Sequence, residues 1–90
     1  MNVPMEVLCI LPKHPLGMPL GMIAEDLGFE GQSEVRDAIA KLNGRGIKVE
    51  VHNGDKGMRR EASIMPQSWQ AAQELGNEYW LKTHSVMVAA

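Results

Sequence analysis

Ninety residues, 44% of them apolar, suffice for one domain with a modest core and are too few for two. A net charge of −2 argues against a protein that coats nucleic acid by bulk charge, one cysteine excludes an internal disulfide, and no collagen-like or disordered composition appears. The charge is unevenly placed: residues 36–60 carry seven basic side chains against three acidic ones, residues 1–35 one against five, and residues 61–90 one against three.

Asn2 to Leu11 is predicted to form a first helix, with Asn2 as cap, Pro4 tolerated in the first turn and Pro12 forcing the end. Leu8 and Leu11 are expected to face the body. Cys9 lies within the apolar run and is expected to be buried as a small hydrophobe. Met5–Leu11 is too short to span a bilayer, carries Glu6 and follows no basic cluster, so neither a signal peptide nor an anchor is expected and a cytoplasmic protein is the default. Lys13 to Pro19 is a loop punctuated by two prolines and a glycine.

Leu20, Ile23, Ala24 and Leu27 then fall at the spacing of one helical face, and Gly28 stops that helix. After Phe29-Glu30-Gly31-Gln32 the same spacing returns at Val35, Ala38, Ile39 and Leu42, with Ser33 as the expected N-cap. Two helices joined by a glycine-containing turn make a helix-turn-helix, whose second helix is the one that enters a DNA groove. Gly44 and Gly46 are expected to close this third helix of the chain.

From Ile47 the period changes to two. Ile47, Val49 and Val51 alternate with Lys48, Glu50 and His52, the pattern of a strand with one buried face. Asn53 to Gly57 carries the Asn-Gly hairpin signal, and Met58 to Met65 returns as a second strand with Met58, Ala62 and Ile64 inward. Arg60 breaks the alternation, which predicts a bulge or an edge position. Pro66 starts a fourth helix that directs Trp69, Ala72 and Leu75 to the body, with Gly76 ending or weakening it. Trp69, Tyr79 and Trp80 are expected to fill a core, with a dimer contact as the alternative. The expected organisation is a single domain over residues 1–82, with a wing at 47–65, a C-terminal helix at about 66–82 and a flexible tail at 83–90.

This order of elements resembles the winged helix-turn-helix family, and within it the N-terminal DNA-binding domain of biotin repressors. The likeness is carried by Ile23-Ala24-Glu25-Asp26-Leu27-Gly28, by Val35 to Leu42, and by Gly46-Ile47-Lys48-Val49 leading to Gly54-Asp55-Lys56-Gly57. It implies an α+β fold: a three-helix core with a two-stranded β-hairpin wing and an additional C-terminal helix. A short strand commonly precedes the helix pair in such domains, and Leu16–Met18 could supply it. The Phe29–Gln32 turn is longer than the family's usual one, and Glu34 and Asp37 stand where many members place neutral or basic side chains. The small size is similar to that of phage and prophage regulators.

The expected partner is double-stranded DNA, with the third helix in the major groove and the wing on the backbone or minor groove. Arg36 and Lys41 could donate to guanine, Gln32 or Ser33 could reach a base edge or phosphate, and Asp37 could accept from cytosine or hold Arg36 in an ion pair. Lys48, Lys56, Arg59 and Arg60 would add contacts from the wing. Few cations imply weak binding by a single copy, and therefore a homodimer through Trp69, Tyr79, Trp80 or the tail. The rival is a winged-helix module that binds protein, favoured by Glu34, Asp37 and the acidic total. No enzyme is expected: His14, His52 and His84 stand alone, Cys9 has no cationic sequence neighbour, and no cofactor, metal or small-molecule motif appears.

Overall fold

A computed structural model of the protein describes residues 2–53 and 59–84. The first helix, α1, spans Val3–Ile10, and the Asn2 side chain caps it by accepting from the Met5 N–H at 3.4 Å. Pro12 does not end the chain's helical course, because the backbone tightens into a 3-10 turn at Leu11–Lys13. That turn lets Leu11 join Val7 and Leu8 in full burial. Burying side chains of this size is worth about 1.5–3 kcal/mol each before the cost of ordering the chain.

The helix pair forms as its periodicity dictates: α2 at Leu20–Asp26 and α3 at Ser33–Gly44. Leu20, Ile23 and Ala24 from α2 and Val35, Ala38, Ile39 and Leu42 from α3 are buried in one cluster with α1. Between them Gly28 takes a positive φ of 84°, and the Phe29 N–H reaches back to the Ala24 carbonyl at 2.8 Å. Half-buried Phe29 packs against the core and pins the long turn. The expected cap at Ser33 is incorrect. Arg36 N–H bonds to the Gln32 carbonyl, so Gln32 holds the cap position and Ser33, inside the first turn, donates its hydroxyl to Glu34. At the other end Gly44 is still helical, and Gly46 alone supplies the left-handed residue, at φ 90°.

The two strands of the wing are joined by the short strand before α2 in one antiparallel sheet, in the order β1-β3-β2: β1 at Met18–Pro19, β2 at Val49–Asn53 and β3 at Arg60–Ile64. The short strand lies at Met18–Pro19, starting two residues after and ending one residue after the expected Leu16–Met18, leaving Leu16 90% exposed. The register runs unbroken from Val49↔Ile64 to Asn53↔Arg60, so Arg60 marks no bulge. It is exposed as the first residue of the central strand, beyond its pairing with β1 at Met18↔Ala62 and Pro19↔Glu61. Val49, Ala62 and Ile64 are buried as expected, whereas Val51, on the edge strand beyond the cover of the body, is more than a third exposed. Lys56 with the expected turn at Gly54–Gly57, the inward position expected for Met58, and the tail beyond His84 lie outside the described residues.

Two polar side chains fasten the sheet to the helices. Asn43 at the end of α3 accepts from Val49 N–H at 2.7 Å and donates to the Val49 carbonyl at 3.4 Å. Buried Ser68 accepts from Lys48 N–H at 2.9 Å and donates to the Gly46 carbonyl at 3.4 Å.

A 3-10 turn at Pro66–Ser68 leads into α4, Trp69–His84, which runs through Gly76 and takes in Thr83 and His84, two residues assigned to the tail. Its buried residues are Ala72 and Gly76. A Cβ at Gly76 would stand 3.2 Å from the Leu8 carbonyl oxygen, so α1 and α4 meet backbone to backbone. This contact between small residues pushes the rings to the flanks. Trp69 is half-buried against the core, Tyr79 half-buried with its hydroxyl donating to Glu6 at 2.6 Å, and Trp80 half-exposed and stacked on His84. Leu75, expected to face the body, is also exposed.

Candidate nucleic-acid interface

Because Leu20, Ile23 and Ala24 turn inward, Gly21, Met22 and Glu25 form the outward side of α2. The N-terminal turn of α3 sets Gln32 and Arg36, four residues apart, beside them. The sheet supplies the opposite wall: Pro19 pairs with Glu61 immediately before α2 begins, which brings Arg59 and Arg60 to the same place. The result is an open groove of about 680 Å³ lined by these eight residues: Pro19, Gly21, Met22, Glu25, Gln32, Arg36, Arg59 and Arg60. A second trough of about 490 Å³ shares Gly21, Gln32 and Arg36 and continues along Glu30–Ser33.

The groove's three guanidiniums are exposed, and none is committed to a carboxylate among the described residues. Among the described residues the one ion pair within 4 Å is Lys82–Glu78 on α4. The expected pairing of Asp37 with Arg36 is therefore absent; Asp37 is exposed on α3. Gln32, Arg36, Arg59 and Arg60 are thus brought together, and Ser33 lies in the adjoining trough. Lys41 is not part of this groove. It lies toward the other end of α3, where with Arg45 it lines a separate open hollow beside Asn2, Val3 and Pro4. Lys48 is exposed just before β2. Lys56 lies outside the described residues.

Sequence reasoning missed Met22 and Glu25. Both sit off the apolar stripe of α2, and only the return of β3 to that helix turns a solvent-facing surface into a wall. An exposed methionine opposite a buried stripe was the available signal.

A further hollow, about 430 Å³, lies between α1 and α4 and is lined in part by Cys9, Lys13 and Trp80. Cys9 is half-buried rather than buried, and its thiol donates to the Gly76 carbonyl at 3.5 Å. Burial, reinforced by Glu6, pushes the Cys9 thiol above its ordinary pKa against the opposing pull of Lys13, the reverse of what a nucleophile needs. The hydrogen bond to Glu6 likewise holds the Tyr79 hydroxyl above its ordinary value. Among the described residues no group of three or more His, Cys, Asp or Glu side chains is arranged to hold a metal ion, and no helix is long and apolar enough to cross a membrane.

No protein-family model and no curated protein matches the chain. Solved structures do match. The chain is similar to ZitR of Lactococcus lactis, with a TM-score of 0.68 and 18% identity over 94% of this chain and 57% of that one. It is similar to a putative DNA-binding protein of Ralstonia eutropha, with a TM-score of 0.64 and 21% identity over 83% of this chain and 95% of that one. A MarR-family transcriptional regulator of Silicibacter pomeroyi matches with a TM-score of 0.61 and 19% identity over 92% of this chain and 56% of that one. The chain thus spans little more than half the length of the first and third of these. At such identities the likeness concerns the fold alone: this is a winged helix-turn-helix, as the sequence led one to expect.

Proposed function

We propose that the protein is a transcriptional regulator that binds double-stranded DNA, with α3 in the major groove and the strands beside it on the backbone or minor groove. One observation carries this reading: Arg36 from α3, Arg60 from the start of β3 and Arg59 just before it line one open groove, unpaired with any carboxylate among the described residues. Unpaired guanidiniums are well hydrated and gain most when they displace counterions from a phosphate backbone or fork onto guanine O6 and N7. Gln32 and Ser33 add neutral donors. Lys41 and Lys48 add charge outside the groove, Lys56 would add its charge from the wing, and Asp37 would act on a cytosine amine. The solved winged-helix structures, two of them named as DNA-binding or regulatory proteins, support the same reading.

Each neutralised phosphate contributes a slope of about −0.9 to log affinity against log salt, so three to five contacts give binding that falls steeply toward physiological salt. Anisotropy titration of a labelled random duplex at low and physiological salt tests this. Saturable binding with that slope is expected, and its absence at tens of micromolar protein would favour the rival protein-binding module, for which exposed Glu34 and Asp37 are the supporting residues. Leu75, Trp80 and Leu81 leave large apolar side chains exposed on α4, which supports pairing of two copies so that two half-sites share the affinity. Sedimentation equilibrium of the protein with and without Trp80→Ser and Leu81→Ser reads that pairing directly.

A further inference from the structure

The groove between α2 and β3 has the wrong chemistry for a simple phosphate clamp. Two of its eight lining residues, Met22 and Glu25, stand one helical turn apart on α2 and share the groove with the three arginines. A carboxylate repels phosphate, and a half-exposed methionine offers it no hydrogen bond. Base edges are different. In the major groove a thymine presents a methyl group that takes an apolar contact, and a cytosine presents an amine that only an acceptor satisfies. Met22 is also dispensable to the fold: its side chain lies outside the buried cluster, while its neighbours Leu20, Ile23 and Ala24 fill the core.

We infer that α2 is a second base-reading element beside α3, and that Met22 discriminates in favour of a thymine 5-methyl group in the bound sequence. The inference rests on the duplex-binding reading above. The arginines supply affinity from both walls, Glu25 keeps the phosphate backbone from settling against α2, and the thioether of Met22 is left to meet a base edge. Methionine suits this task because its unbranched, polarizable chain adapts to the methyl's position.

The test begins with selection of bound duplexes from a randomised pool by the whole protein, followed by replacement of each thymine of the selected sequence, one at a time, with deoxyuridine. At one position, loss of the methyl is expected to weaken binding about fourfold, the equivalent of one buried methyl group. Met22→Ala should abolish that difference at that position alone, and, because the side chain lies outside the buried cluster, Tm should stay within about 2 °C of wild type. Glu25→Gln, in contrast, should raise affinity for random duplex at low salt without erasing the methyl effect. The inference is overturned if no thymine in the selected sequence is methyl-sensitive, if Met22→Ala keeps the sensitivity, or if random duplex binds and no sequence is enriched. Failure of all duplex binding, unlike these outcomes, removes the underlying reading as well.

Discussion

The two ends of α3 each present basic side chains and have different prospects. At its N-terminal end Arg36 has company from another element: β3 returns Arg59 and Arg60 to the same groove, with α2 forming the wall between. At its C-terminal end Lys41 and Arg45 face only the start of α1, which brings no basic residue. Counting cations along a helix therefore overstates the second end. What distinguishes the first is convergence of side chains from separate elements, which raises local potential without raising net charge.

Variants can break that contrast. The largest effect is expected from Arg36→Ala, Arg59→Ala and Arg60→Ala combined: random-duplex affinity at low salt should fall about 100-fold or more and the salt slope should drop by about three. All three side chains are exposed, so Tm should move by no more than about 4 °C. Equal loss of binding and stability would mean that the groove is structural. A control on the body comes next. Gly76→Val places a side chain against the Leu8 carbonyl and should cost about 2 kcal/mol in denaturant unfolding, with duplex affinity of the folded fraction unchanged. Should affinity fall too, the seat of α4 influences the groove at a distance.

Lys41→Ala with Arg45→Ala sharpens the contrast from the other side. About fivefold or less in affinity is expected, the loss of flanking charge alone. A loss matching the triple-arginine variant would erase the difference between the two ends. The smallest effect is expected far from both. Glu6 holds Tyr79 above its ordinary pKa near 10, so the bond's contribution is present below that value and lost as pH rises through the raised one. Tyr79→Phe should be slightly less stable than wild type at neutral pH, and the gap should close at alkaline pH.

Most of the body was legible in the chain because its signals are local. The stripes at Leu20–Leu27 and Val35–Leu42, the cap at Asn2 and the glycines at 28 and 46 each act within a few residues. The sheet was only half legible. Nothing near Met18 announces that it will pair with Ala62, and without that pairing β3 reads as an outer strand with an awkward arginine rather than as the middle one. The fourth helix misled in a different way. Large rings usually mark the buried side, yet here Ala72 and Gly76 carry the contact, because two backbones can approach closely only where side chains are small. For the groove, Gln32, Arg36, Arg59 and Arg60 could be named from type and position. Met22 and Glu25 became visible only as a wall once the strands had closed opposite them.

The bridge between Met18–Pro19 and Ala62–Glu61 sets the width of that opening. The residue that enters α2 and the strand that carries Arg60 are laced by main-chain hydrogen bonds, so the gap acts as a fixed gauge rather than an adjustable grip. On the proposed duplex-binding reading, a duplex whose contour departs from that gauge would have to deform to fit, and stiff and pliant sequences would then be sorted by their own elasticity, even at base pairs that no side chain touches.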